Sequence, residues 1–452
     1  MFYRNILKEL GKWKKGLNRK PLVLRGARQI GKTTAVRLFS ESYDQYIELN
    51  LEKKDDRSLF ERELTVGQIM ESLALKNRIT YNSKTTLLFI DEIQNSETAV
   101  AYLRYFYEEL PEIYVITAGS LLESLIGKRK ISFPVGRVDY LYMYPCSFSE
   151  FLGATGNEQY LQYLEKLPFP MHLNENMLEL FNRYILVGGM PEAVAQYALT
   201  GNIVDLQGIF RNLIIAYLDD VEKYAPRDSM VRIIRHIINT APFQSGKRIK
   251  YQGFGNSDYG SRVISEAMGI LEKALLIDTI RPTTSLSLPI QPDLRKSPKI
   301  QFLDIGISNF MAGLQSQLVT LQDFSTIERG RIVENAVYQE MRAHGFNYGN
   351  NLLNFWIREK KQSNSEIDFV FPKDDKIIPI EVKSGSSGRL RSLSVFMDQV
   401  DHDYSIRLYS GELKLDYVKT LTGKPFRLLN LPYFLAGEIE NYIDWFINRE
   451  NE

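Results

Sequence analysis

Two glycines, Gly26 and Gly31, are followed at once by Lys32 and Thr33, the spacing G-x-x-x-x-G-K-T. Glycine lets a backbone close around an anion with no side chain in the way, and a helix that starts at the end of such a loop turns its free N–H groups toward phosphate. Ala27, Arg28, Gln29 and Ile30 lie between the glycines as the wall of the cradle. Lys32 is placed to reach β- and γ-phosphates, the Thr33 hydroxyl to sit on a magnesium ion, and Thr34 to continue the first helical turn. Further along, "TTLLFIDEIQ" is an apolar strand that ends in Asp91 and Glu92. Asp91 is the carboxylate that would hold magnesium through water, and Glu92 the one that would polarise an attacking water. These residues together predict a site that takes ATP with Mg2+ and hydrolyses it. Ser120, at the end of the strand "IYVITAGS", is assigned as a contact to the γ-phosphate. Arg137 precedes "VDYLYMY" and reads equally as an arginine finger or sensor and as a surface arginine.

A second group of chemically capable residues lies near the other end. "EIDFVF" carries Asp368, and "IIPIEVK" carries Glu381 and Lys383, two positions apart and so on one face of a strand. The turn "PKDDK" joins the two segments as a hairpin, which lets Asp368 and Glu381 point the same way. Glu334, on the amphipathic stretch "GRIVENAVYQEMRAHG", would complete a carboxylate shell for a divalent metal, with Lys383 orienting a water or steadying a phosphorane. The alternative is a hairpin with a charged solvent face. The apolar neighbours argue against it, because an unpaired charge among them is costly. Gln399, after "LRSLSVFMD", is a further candidate to orient this site.

The elements that must position these residues can be read from periodicity. "PLVL" predicts a buried strand before the loop and "TTAVRLFSES" a helix after it. Strands are expected near 21–25, 46–50, 86–91, 113–118 and 138–143, alternating with helices, which is the pattern of a parallel sheet covered on both faces. From about 145 to 225 apolar residues recur at helical spacing, predicting a lid bundle whose aromatics are core. Residues 226–282 read as helix, turn, helix and then an apolar strand, the order of a winged helix. Between Pro226 and Arg262 there are seven Lys or Arg against two Asp, a balance of +5. Arg227, Arg232, Arg235, Lys247, Arg248, Lys250 and Arg262 would be its phosphate contacts on DNA. Winged helices also serve as protein-contact modules, and DNA contact is the reading taken first.

Composition sets the outer bounds. The chain has 452 residues, 44% of them hydrophobic and 25% charged, with a net charge of +1, so attraction to nucleic acid has to come from local patches. Cys146 is the only cysteine, which excludes an intrachain disulfide and a cysteine-based metal site and fits a reducing compartment. "MFYRNILKELGKWKKGL" is amphipathic and basic without the apolar stretch of a signal peptide, and no apolar run reaches membrane-spanning length. A cytoplasmic protein without membrane partners is expected.

The set "GARQIGKTT", "LLFIDEIQ", "ITAGSLLES" and "GRVDYLYMYPCSFSEF" resembles the prokaryotic AAA-type ATPases with a GARQ-type P-loop, and "YILVGGMPEAV" strengthens the likeness. In the related signal-transducing branch a Gly-x-Pro element of the helical subdomain lies over the nucleotide; Gly189 and Pro191 match it. The chain departs from the pattern at Ala118, where relatives often have threonine. The resemblance also implies a C-terminal domain, in the family of originally unknown function, that is similar to the PD-(D/E)-x-K restriction-type nucleases, and Glu334, Asp368, Glu381 and Lys383 all match that pattern. The expected architecture is therefore multidomain α/β. A P-loop AAA-type core (1–150) carries a helical lid (151–225), a winged-helix module (226–282) and a restriction-endonuclease-like α/β domain (283–452). The leading expectation is an ATP-hydrolysing, DNA-associated protein with a metal-binding, nuclease-like tail. The alternative is an ATP-driven switch or scaffold that binds a protein partner and has a silent tail. Either form would be compatible with a homo-oligomer.

Overall fold

The computed structural model describes residues 2–119, 133–315, 326–345, 353–360, 363–385 and 390–449. Five strands form the first sheet: β1 (Leu22–Arg25), β2 (Gln45–Asn50), β3 (Thr86–Asp91), β4 (Tyr114–Ala118) and β5 (Asp139–Tyr142). Their order is β2-β3-β4-β1-β5, and every pairing is parallel. Successive residues of a strand face opposite sides, so an unbroken apolar run is buried only where both faces are covered. Leu22, Leu24, Leu87 and Phe89 pack with Ala35, Val36 and Phe39 of the helix Lys32–Ser40. Val23, Leu88 and Ile90 face the other way, onto Ile69 and Leu73 of the helix Val66–Asn77 and Leu103 and Phe106 of Glu97–Glu109. The expected covered parallel sheet is present, with strand limits within a residue or two of those expected.

The expected helices follow as Phe148–Ala154, Asn174–Val187, Pro191–Thr200 and Gln207–Tyr224. Phe148, Phe151, Phe181 and Tyr184 are fully buried against one another, with Phe148 edge-on to Phe181 at 5.0 Å. Two more helices, Asp228–Gln244 and Ser261–Lys273, bring Ile234, Ile237 and Ile238 together with Ile264, Met268 and Leu271.

The remaining strands build a mixed sheet of eight. They are β6 (Ile277–Thr283), β7 (Lys299–Phe302), β8 (Asn354–Lys360), β9 (Ser363–Lys373), β10 (Lys376–Val382), β11 (Tyr404–Tyr409), β12 (Lys414–Lys419) and β13 (Pro425–Pro432). Their order is β12-β13-β11-β10-β9-β8-β6-β7. The hairpin expected at "PKDDK" is β9–β10, antiparallel with Ile380 opposite Phe369.

The expected boundary at 282 falls inside β6. Ile277–Ile280 pair antiparallel with β7, the ribbon a winged helix needs, but Arg281–Thr283 pair parallel with Asn354–Trp356 of β8. A strand satisfies its backbone groups on both edges wherever partners exist, and here the second partner belongs to the tail. The ribbon after the two helices is thus part of the C-terminal sheet, so residues 226–282 do not form a module with its own free wing.

Candidate functional site

The loop of residues 26–31 joins β1 to the helix Lys32–Ser40 at the carboxyl edge of the first sheet. Gly26 is required by packing: a Cβ there would lie 2.3 Å from Ile30 Cδ1 and 2.5 Å from the Met143 carbonyl oxygen. Gly31, with φ +88°, turns the chain into the helix. Ile30 and Ala27 are buried, and Gln29 and Thr34 face solvent. Arg4, from the N-terminal segment, reaches the loop: its Nη1 donates to the Ile30 carbonyl at 3.0 Å, and its Nε lies 3.0 Å from Glu150 Oε1.

Lys32 is buried, and its Nζ donates to the carbonyls of Gly26 at 2.9 Å and Ala27 at 2.8 Å. Burial lowers its ammonium to a pKa of about 8, against the pull of Glu92 and Asp91. The Thr33 hydroxyl donates to Asp91 Oδ2 at 2.7 Å. Thr33 and Asp91 therefore stand where one hydroxyl and one carboxylate would hold a magnesium ion whose other ligands are phosphate and water. Glu92, next along, sits in the left-handed region at φ +52°, a costly conformation for a glutamate and one that functional sites retain. Burial raises its carboxyl, and Gln94 Nε2 donates to it.

Residues at the start of the helix Pro191–Thr200 meet this loop. Pro191 Cγ lies 3.7 Å from where a Gly31 Cβ would stand. Gly189 is held by its backbone: its carbonyl accepts from Cys146 N at 2.6 Å. Arg28 pairs with the buried Asp220 on the helix Gln207–Tyr224, and Asp220 also takes Lys223 at 2.7 Å. Ser120 lies outside the described residues.

Arg137 is not brought to this site within its own chain. β5 runs parallel to β1, with Asp139 opposite Leu22 and Tyr142 opposite Arg25. Arg137 thus precedes the amino edge of the sheet while the P-loop leaves the carboxyl edge, roughly 20 Å apart along the strands at about 3.3 Å per residue. Its guanidinium pairs with Glu108 at 2.9 Å.

In the tail, Glu334, Asp368, Glu381 and Lys383 do converge, and a residue absent from the expected set stands among them. The Lys299 ammonium lies 2.7 Å from Glu334 Oε1, 2.8 Å from Glu366 Oε1 and 3.4 Å from Asp368 Oδ1. Asp368 Oδ2 accepts from Val382 N at 2.8 Å, and Lys383 pairs with Glu381 Oε1. Burial pushes the Glu381 carboxyl up to about 8 and the Glu334 carboxyl up to about 7. Burial alone would lower Lys299, but Glu334, Asp368 and Glu366 outweigh it and hold the ammonium charged. Among the described residues no group of three or more His, Cys, Asp or Glu is arranged to hold a metal ion. The Gln399 amide donates to the Val395 carbonyl at 2.6 Å, within its own local turn. Of the seven basic residues expected to contact DNA, Arg227, Arg235 and Arg248 form ion pairs with Glu266, Glu222 and Glu359. Among the described residues no helix is long and apolar enough to cross a membrane.

Arg4, Asp220 and Lys299 were not indicated by the sequence pattern. Each acts on a partner far along the chain, and their own neighbours carry no motif. The one hint at Lys299 is a lysine opening the apolar strand "KIQF".

Residues 18–152 match the family model of an AAA domain, so the first sheet and its loop resemble a P-loop AAA-type domain. Residues 178–318 match a domain of unknown function, DUF8612, and residues 329–428 another, DUF4143. An uncharacterized protein of Methanocaldococcus jannaschii is 23% identical over 389 residues, 83% of this chain and 77% of its own length. A Walker-type ATPase of Pyrococcus abyssi superposes with a TM-score of 0.44 at 15% identity, over 69% of this chain and 96% of its own.

Proposed function

We propose that the chain binds ATP with magnesium at the loop of residues 26–33 and hydrolyses it. The observation that carries this reading is the pair Thr33–Asp91 at 2.7 Å, directly beside the buried Lys32 and the strained Glu92. Magnesium, when bound, neutralises phosphate charge and fixes the phosphate geometry. Lys32 exchanges the carbonyls of Gly26 and Ala27 for phosphate oxygens, and Thr33 and Asp91 orient the metal. Glu92, its carboxyl raised by burial, accepts a proton from the attacking water. Pro191 closes over the loop from the lid. Replacing Glu92 by Gln keeps the shape and removes the base, so ATP should bind with parent affinity while turnover falls at least a hundredfold. Parent turnover in Glu92→Gln defeats the assignment.

For the rest of the chain, a switch or scaffold that acts on a protein partner is the reading we favour over a DNA-associated nuclease. The observation in its favour is Lys299, a cation already seated among the tail carboxylates. Three of the expected phosphate contacts are also committed to carboxylates. With manganese, plasmid and single-stranded DNA should both remain intact; cutting that Lys383→Ala abolishes would restore the nuclease reading.

A further inference from the structure

Four carboxylates, Glu334, Glu366, Asp368 and Glu381, come together where β9 and β10 meet the helix Thr326–Ala343. We propose that Lys299 is the resident cation of this cluster, an ammonium seated where a divalent metal would otherwise bind, so that the native tail is a metal-free site that carries its own counter-charge. The inference deepens the silent-tail reading. It shares no residue with the P-loop, so it stands or falls independently of ATP turnover.

The geometry is that of a filled site. An ammonium has three N–H donors and no acceptor, and Lys299 has three carboxylate partners, at 2.7, 2.8 and 3.4 Å. Its side chain is only 3% exposed, so water has little access to compete for those donors. A buried ammonium is tolerated only when it is paired and saturated in this way.

The backbone fixes its position. Lys299 is the first residue of β7, opposite Ile280 of β6. On its other side it bridges to Arg248, and Ile300 N donates to the Lys247 carbonyl at 3.2 Å. The ammonium is therefore delivered by a paired strand, not by a free surface chain. A divalent ion binds oxygen at roughly 2.0–2.6 Å and needs the centre of the carboxylate group for itself. Lys299 holds that centre, and two cations side by side in a buried site repel strongly.

Glu381 shows that the cluster holds acceptor capacity beyond what Lys299 takes up. One of its oxygens pairs with Lys383, and the other, Oε2, is buried without a hydrogen-bond partner. Removing the ammonium would deprive Glu334 Oε1, Glu366 Oε1 and Asp368 Oδ1 of their cation, while Asp368 Oδ2 keeps Val382 N and Glu366 Oε2 keeps Arg248. The carboxylates, which with Lys299 in place are not arranged to hold a metal ion, would then be free to close on a divalent cation.

The test uses the full nucleotide-free chain titrated with Mn2+ by calorimetry, with the bound metal counted by electron paramagnetic resonance. Metal taken by Thr33 and Asp91 is common to all variants and cancels. The parent should bind no Mn2+ that Asp368→Asn removes. Lys299→Met, which keeps the bulk of the stem and drops the charge, should gain one Mn2+ per chain, and Lys299→Met/Asp368→Asn should lose it again. Lys299→Arg should stay metal-free because its charge remains. A parent that binds Mn2+ through Asp368 overturns the proposal, and so does a folded Lys299→Met that takes up none. Should Lys299→Met fail to fold, the parent and Asp368→Asn decide the question on their own.

Discussion

Gly189 donates its backbone N–H to Asp304 Oδ2 at 2.6 Å, and this bond ties the lid to the C-terminal half of the chain. Asp304 follows β7 and caps the helix Ile305–Met311 with its other oxygen, which accepts from Ile307 N at 3.0 Å. On the opposite side Gly189 is clamped against Cys146, so closely that a Cβ would lie 2.4 Å from the Cys146 carbonyl oxygen. Two residues later Pro191 stands against the P-loop. Asp304 thus braces, from a distance in sequence, the element that approaches the P-loop.

Asp304→Ala should therefore act on two readouts. It strips two buried N–H groups of their acceptor, which should lower unfolding free energy by about 3 kcal/mol. It also loosens the backbone under Pro191, so ATP affinity should weaken several-fold although no nucleotide ligand is changed. Denaturant melts and nucleotide titration measure the two effects. Unchanged affinity in a destabilised variant would mean that the brace serves the fold alone.

The lowered ammonium of Lys32 predicts a pH dependence of binding. With a pKa of about 8 in the free site, Lys32 is charged below that pH and increasingly neutral above it. Phosphate oxygens stabilise the charged form, so above about pH 8 binding requires uptake of a proton. Affinity for a non-hydrolysable ATP analogue, so that Glu92 keeps its charge, should hold steady just below pH 8 and then fall by up to about tenfold per pH unit. Lys32→Arg stays charged in that range and should not show the fall. A flat parent profile from pH 7 to 10 contradicts the prediction.

Glu340 makes a second pH prediction, this time for stability. It is buried, accepts from Phe148 N at 2.7 Å, and is pushed up to about 7 by burial, with Glu150 adding to the rise and His344, Tyr184 and the Phe148 N–H opposing it. Between about pH 4.5 and 7 the folded chain holds this proton while the unfolded chain has released it. Stability contributed by the proton is therefore present at the low end and lost as pH rises through 7, by about 3 kcal/mol at most. Asp304, raised to about 6 by burial, acts in the same sense. Glu340→Gln keeps an acceptor for Phe148 N and carries no charge. It should melt higher than the parent at pH 8 and flatten the profile between pH 5 and 8. A variant with the parent's slope would show that Glu340 does not carry the effect.

What the sequence disclosed, it disclosed locally. Gly26 to Thr33 is one continuous loop, Asp91 and Glu92 end a strand whose apolar run announces it, and Asp368 and Glu381 lie on a hairpin with a visible turn. What it concealed depends on contacts across long separations. Lys299 meets Glu334 and Asp368 only because β7 is laid on the edge of a sheet built mostly from later residues. Asp220 reaches Arg28 across 192 positions. The strand across the expected boundary at 282 has the same origin: β6 is a good strand by pattern, but pattern does not say that its last three residues pair with β8. For Arg137 the sequence left two readings open, since spacing from the preceding strand cannot say at which end of the sheet a residue will stand.

That position makes Arg137 a clean discriminator between one chain and several. The ion pair with Glu108 is exposed to solvent and worth little to stability, so Arg137→Ala should leave the unfolding midpoint nearly unchanged. Within a single chain the guanidinium stands at the amino edge of the sheet, remote from Lys32, Thr33 and Asp91, so ATP turnover by a monomer should stay within about twofold of the parent, since no transition-state contact is removed. If turnover instead collapses, the arginine must be acting on the nucleotide of a neighbouring copy. Mixing Arg137→Ala with Lys32→Ala chains would then recover activity, because one supplies an intact P-loop and the other an intact arginine. Loss of turnover without such recovery, in a chain that runs as a monomer, would contradict the placement of Arg137 itself.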